Sequence, residues 1–133
     1  MAQQGCTTVA SYSEHWPCLF PQHGPGAKHT RKITLDPWQQ DIVAQHPREF
    51  LRGLFHSDGC RISNNVRRRL PSGDRWYSYP RYFFSNKSLD MLELCGDAMD
   101  SLGITWRYSR WDTVSVTKRD AVAAMEEFIG PKY

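Results

Sequence analysis

At Asp58-Gly59 the sequence changes its period, and this change limits the fold more than any other feature of the 133-residue chain. Upstream, the apolar residues recur at helical spacing. Asp36-Pro37 is a helix start, with Asp as N-cap and Pro at the first helical position, and Trp38, Ile42 and Val43 follow on one face. Pro47 opens a second helical segment that runs to Asp58. Downstream, residues 60–66 and 76–84 have strand character and flank a basic turn at 67–75 that contains Pro71-Ser72-Gly73.

The rest of the chain continues the pattern. Residues 88–102 predict a helix with an apolar stripe of Leu89, Leu92, Leu94, Cys95, Met99 and Leu102, and Gly103 sits where a C-cap belongs. Residues 104–108 and 113–116 predict a second hairpin, and 118–129 a closing helix ended by Gly130-Pro131. From Pro37 onward the order is α-β-β-α-β-β-α. That order implies an α+β fold with helices on one face of a four-stranded antiparallel sheet.

The segment before it is organised differently. Residues 5–12 are β-prone, 15–20 amphipathic, and Pro21-Gln22-His23-Gly24-Pro25-Gly26 must be a loop. A strand, a short apolar stretch, Gly24-Pro25 and then Lys28 echo the chain's end, where Val114-Ser115-Val116-Thr117 precedes a helix, Gly130-Pro131 and Lys132. Residues 1–30 therefore look like the tail of a preceding repeat, and residues 31–133 like the domain proper.

The composition excludes some function classes and favours one. A 40% hydrophobic share suits a soluble domain with its own core, and no apolar run approaches a membrane span. With no charged-then-apolar leader, an intracellular, cytoplasmic protein is the expectation. Cys6, Cys18, Cys60 and Cys95 are scattered without a CxxC pair, which implies free thiols, with Cys60 as a buried, inert one. His15, Cys18, His23 and His29 match no standard zinc spacing. The charge, however, is concentrated. Arg61, Arg67, Arg68, Arg69, Arg75, Arg81 and Lys87 share one window with a single acid, Asp74. Such a cluster suits a phosphate-backbone binder, and equally a solvated arginine hairpin.

The stretch 50–59 carries the chemistry. On a helix Gly53 and Ser57 lie one above the other, and two small residues stacked this way allow a second helix to approach closely, with Phe50 and Leu54 beside them. Asp58 falls at the helix C-terminus, where the dipole disfavours a carboxylate and a divalent cation would relieve the repulsion. Asp58-Gly59 also suits a plain turn into the next strand.

Leu51, Gly53, Leu54, Asp58 and Gly59 match the LAGLIDADG motif position by position, with Ser57 a small-for-small replacement and His56 in place of the variable first acid. Together with the element order, this makes residues 28–133 resemble one repeat of the LAGLIDADG homing endonuclease family, and in particular the second repeat of bacterial, actinobacterial members. The resemblance implies Mg²⁺-dependent hydrolysis of double-stranded DNA by two packed motif helices, one per repeat, so a partner is required. That partner would be a second copy or a preceding N-terminal half. Asp58 and the Gly59 carbonyl would hold the metal, and Lys87 and Lys132 would stand near the phosphate, with Lys28 the matching residue of the echoed tail. The sheet would form a saddle over DNA. Arg61, Ser63, Asn65, Arg67, Arg75, Tyr77, Tyr79 and Arg81 alternate along it, so one set faces DNA and the other faces the helices, while Arg67, Arg68 and Arg69 grip phosphates. Phe83 or a neighbour stands where active relatives often carry a polar, water-orienting side chain. A second expectation is therefore a DNA-binding module or transcription regulator that has lost cleavage.

Overall fold

The computed structural model describes residues 2, 3, 5–22 and 24–131. A two-residue pair, β1 (Ala2–Gln3) and β2 (Cys6–Thr7), opens the chain, and a single helical turn, α1 (Trp16–Leu19), follows. Asp36 and Gln39 close a capping box that starts α2 (Pro37–Gln45), with the Gln39 side chain accepting from the Asp36 N–H at 2.9 Å. Pro47 then starts α3 (Pro47–Ser57), which passes at Asp58 directly into β3 (Gly59–Leu70). The remaining elements are β4 (Gly73–Ser85), α4 (Leu89–Ser101), β5 (Arg107–Arg110), β6 (Thr113–Val116) and α5 (Arg119–Glu126). The order from Pro37 is the expected α+β one, and the four long-chain strands make one antiparallel sheet in the order β3-β4-β6-β5.

Alternation divides this sheet into two unlike faces. Tyr82, Phe84, Val114 and Val116 point to the helices and are all buried. They meet Leu51, Leu54 and Phe55 of α3, Leu92, Cys95 and Met99 of α4, and Val122 and Met125 of α5 in one apolar cluster. The Phe55 ring sits 5.8 Å from both Tyr82, edge-on, and Phe84, tilted. Burying an aromatic or aliphatic side chain of this size contributes about 1.5–3 kcal/mol, so this cluster is where the stability lies. The other face carries no helix.

The β3–β4 ribbon is far longer than its neighbour. β3 and β4 pair without interruption from Gly59↔Phe84 to Leu70↔Gly73, yet β6 reaches only Tyr82–Ser85. Residues 73–81 of β4, with their partners on β3, therefore project as an arm of about 30 Å, at roughly 3.3 Å per residue.

Several expectations change in detail. The basic turn shrinks to Pro71-Ser72, and Arg67, Arg68 and Arg69 lie within the strand. Cross-strand pairing explains this, because Asp74 stands opposite Arg69 and forms an ion pair with Arg67. The first strand, expected over 5–12, is limited to Cys6–Thr7, and Val9 and Tyr12 are 90% and 94% exposed. β-propensity describes a fit to a half-buried surface, and residues 8–12 meet none. Ile104 does not begin a strand. It is a core residue, placed there once Gly103, at φ +69°, ends α4. Cys60 is exposed, not buried, because Phe84 and Tyr82 put the neighbouring positions of β3 on the core side. Among the described residues no helix is long and apolar enough to cross a membrane.

Candidate functional site

The motif helix is anchored on one side and open on the other. Leu51, Leu54 and Phe55 hold α3 in the core. Leu54, expected at a helix-helix interface, thus faces the chain's own core, and Phe50 packs partly against it. Gly53 is exposed, and a methyl group added there would meet nothing within 4 Å. Ser57 is exposed as well, its hydroxyl donating to the Leu54 carbonyl at 2.8 Å. His56 ties the helix to the chain's end through the Ile129 carbonyl, 2.7 Å from Nε2.

Gly59 allows the switch from helix to strand without a loop. A Cβ on Gly59 would lie 2.5 Å from the Phe55 Cα, so only glycine fits this junction. Asp58 is consequently held at the corner where α3 ends and β3 begins, its N–H donating to the Leu54 carbonyl at 3.0 Å. Two groups converge on its Oδ2. Lys28 Nζ, from the 3-10 turn Lys28–Thr30, donates at 3.2 Å, and so does Asn86 Nδ2 at 3.2 Å. Asn86 is itself buried and fixed. Its Oδ1 accepts the Ser88 N–H at 2.9 Å, and its own N–H donates to the Asp112 carbonyl at 2.9 Å.

The Lys28–Asp58–Asn86 cluster joins three distant stretches of chain. Of the lysines expected near the acid, Lys28 makes contact, Lys87 stands exposed on the turn beside Asn86, and Lys132 lies outside the described residues. His23, part of the loose zinc-like set, also lies outside them. Asn86 was not anticipated. Its signal was an Asn two residues before a helix N-cap Ser, a spacing at which the Asn side chain receives a backbone N–H.

Divalent-cation chemistry can be tested against these donors. Mg²⁺ requires about six oxygen ligands, whereas the corner offers one half-exposed carboxylate whose Oδ2 already accepts from Lys28 and Asn86, and Asn86 turns its NH2 toward it, its Oδ1 being taken by the Ser88 N–H. Among the described residues no group of three His, Cys, Asp or Glu side chains could hold a metal. By themselves these donors do not make a divalent-cation site.

The sheet presents the basic residues in two sets. Arg61, Ser63, Asn65, Arg67 and Arg69 share the helix-side face with Tyr82 and Phe84, so they do not lie on the open face. Arg61 is committed there. Glu126 of α5 accepts from Arg61 Nε at 2.7 Å and from the Tyr82 hydroxyl at 3.0 Å. Burial first, and then this carboxylate, push the Tyr82 phenol up to about 12, and the hydrogen bond to Glu126 raises the Arg61 guanidinium further above its ordinary value.

Arg68, Arg75, Tyr77, Tyr79 and Arg81 lie on the open face, joined there by Arg107, opposite Ser115, and, past a bulge, by Arg110, opposite Thr113. No strand position on that face is acidic. The sequence reading missed Arg107 and Arg110. Their signal was an Arg at each end of a short strand, whose facing depends on a bulge invisible before folding. Comparison of the chain with protein-family models, curated proteins and solved structures returned no match.

Proposed function

We propose that this chain is one half of a Mg²⁺-dependent endonuclease of the LAGLIDADG kind that cuts double-stranded DNA, the other half being a second copy or a preceding repeat. The observation that carries this reading is the corner at Asp58. A carboxylate at the end of a motif helix is held by Asn86 and has Lys28 3.2 Å away, on a chain whose open sheet face carries five arginines and no acid. The projecting ribbon supports the same reading, since a two-stranded β-ribbon fits the DNA major groove. So do the open Gly53 position and the exposed apolar side chains of α2, Trp38 at 44% and Ile42 at 52%, which a partner would cover.

Within this function each residue has a task set by its chemistry. The open-face arginines neutralise phosphates and position the duplex. Asn86 orients the Asp58 carboxylate, and Lys28 supplies positive charge where the phosphate gains negative charge. When bound, Mg²⁺ supplies Lewis-acid stabilisation of the reacting oxygens. A second reading, a DNA-binding module without cleavage, is favoured by one specific observation. Phe83 occupies a strand position on the open face where a polar, water-orienting side chain is expected of a nuclease.

The deciding experiment incubates the protein and its Asp58→Asn variant with a plasmid pool, with and without Mg²⁺. Nicking by the parent and not by the variant is the expected result, with equal DNA binding by both. Equal binding without nicking by either leaves the binding module. No binding by either, even at low salt, removes both readings.

A further inference from the structure

An apolar cavity of about 570 Å³ lies between α2 and α4, and neither a strand residue nor Asp58 or Asn86 lines it. Trp38, Ile42 and Val43 of α2 form one wall, Met91 and Leu94 of α4 another, and the chain from Gln22 to Leu35 closes a third side. Its volume falls within the range of small-ligand pockets, roughly 300–1,000 Å³. Trp38 and Ile42 remain exposed, so the cavity leaves apolar surface in water.

The polar side chains of the lining are two glutamines and one arginine. The glutamines are already matched. Gln22 Nε2 donates to Gln39 Oε1 and to the Thr34 carbonyl, and Gln39 Nε2 donates to the Leu19 carbonyl at 3.3 Å. Arg31 is not. Its Nη1 donates to the Gln22 carbonyl at 2.8 Å, and Gly24 lies so close that an added Cβ would stand 3.1 Å from the same nitrogen. Its Nε is buried and has no hydrogen-bond partner, and among the described residues no carboxylate forms an ion pair with it. The chain that carries it is tied down, since the Ile33 N–H donates to the Asp90 carboxylate of α4 at 2.7 Å. A guanidinium keeps its charge at any ordinary pH, and a buried donor without an acceptor is unfavourable, so Arg31 calls for an anionic acceptor that the chain itself does not supply.

We infer that this cavity takes an amphipathic organic anion, an apolar body carrying one carboxylate that accepts from Arg31. Each part of the lining suits one part of such a ligand. The α2 and α4 side chains remove the apolar body from water, and the one unmatched cation among them sets both the sign and the number of the ligand's charges. Concave walls with few polar groups are the form of a small-molecule site, whereas a partner's helix needs an open face such as the one at Gly53. The inference goes beyond the nuclease reading. It gives Trp38 and Ile42 a small ligand as their cover in place of a partner half, and it leaves the Asp58 corner and the arginine face untouched.

Isothermal titration calorimetry tests this with dodecanoate and with dodecyltrimethylammonium, the same chain with the opposite charge. A single dodecanoate per chain is expected, bound at least about tenfold tighter than the cation. Arg31→Gln, which keeps a side-chain donor for the Gln22 carbonyl, should weaken dodecanoate by at least about tenfold and leave the cation's affinity no lower. Ile42→Glu sets a carboxylate on the same wall from an exposed helix position, where folding is not at stake, and should weaken dodecanoate while favouring the cation. Equal affinity for the two amphiphiles, dodecanoate binding unchanged in both variants, or uptake of several dodecanoates per chain overturns the inference. So does a parent chain that takes up no dodecanoate and is a dimer in solution, if Ile42→Glu makes it monomeric, and the wall then belongs to a second copy. None of these outcomes bears on plasmid nicking, so this inference and the nuclease reading fail separately.

Discussion

The two faces of the four-stranded sheet are built by the same strands and share no task. On the helix side Phe84, Val114 and Val116 are fully buried among Leu51, Leu92, Met99 and Met125. On the other side the same strands carry Arg68, Arg75, Arg81, Arg107 and Arg110, among which Arg81 alone is partly buried and the rest are exposed. One residue's step along a strand moves a side chain from the environment that stabilises the fold to the environment that meets a partner. Substitutions on the two faces should therefore separate into those that change stability and those that change binding.

The largest effect belongs to the buried face. Phe84→Ala is expected to cost about 3–5 kcal/mol, measured as a fall in the urea unfolding midpoint. Gly59→Ala tests the same side at the helix-strand junction. Its Cβ would lie 2.5 Å from a backbone atom of Phe55, so the corner must shift, at a cost of about 1–3 kcal/mol. If either variant keeps parental stability, the junction is looser than its contacts require.

Next comes the open face, with binding as the readout. For a duplex-binding surface, log K falls with log salt by about 0.9 per neutralised phosphate. Replacing both Arg75 and Arg81 by Ala should therefore lower the slope by up to about 1.8. Unfolding midpoints should be unchanged, since neither residue belongs to the core cluster. A slope equal to the parent's would show that these two arginines meet no phosphate.

How much of this could be read in the sequence differs between the two faces. The core was legible because burial repeats: the stripes of α3 and α4 and the period change at Gly59 predicted the order of elements and the sheet. The facing of the arginines was not, because register decides it, and register depends on pairs such as Gly59↔Phe84 that form only in the fold. Expecting a turn at 67–75 hid the last four rungs of the arm, Arg67↔Trp76 to Leu70↔Gly73, where Arg67 and Asp74 form an ion pair across the ribbon. Asp58 was legible from the motif, and Lys28 from the repeat-like tail, whereas the Asn86 contact required the two strand ends and α4 to meet.

A smaller effect appears at high pH and belongs to the buried face alone. Tyr82 is pushed from its ordinary 10.0 to about 12, chiefly by burial, and Cys95 from 9.0 to about 12, by burial. A raised acid contributes stability that is complete below its unfolded value and is lost as pH rises through the folded one. The fold should therefore weaken from about pH 9 to about 12. Tyr82→Phe and Cys95→Ala should each flatten the pH profile of the urea midpoint. A profile unchanged by both substitutions would place the alkaline loss elsewhere.

The smallest effect is the sharpest test of the comparison, because it concerns an arginine that charge alone would assign to DNA. Arg61 belongs to the basic window, yet alternation puts it on the helix side, where Glu126 accepts its Nε–H at 2.7 Å. Both partners are partly exposed, at 46% and 39%, so solvent limits such a pair to about 0–1 kcal/mol. Arg61→Ala should thus lower stability by no more than about 1 kcal/mol and leave the salt slope of DNA binding at the parental value. The Glu126 carboxylate would keep the Tyr82 hydroxyl as a donor, which is why the loss stays small. A slope reduced as much as by an open-face arginine would mean that Arg61 leaves Glu126 for phosphate when DNA binds. The two faces would then exchange residues, and strand alternation would no longer predict which arginines bind.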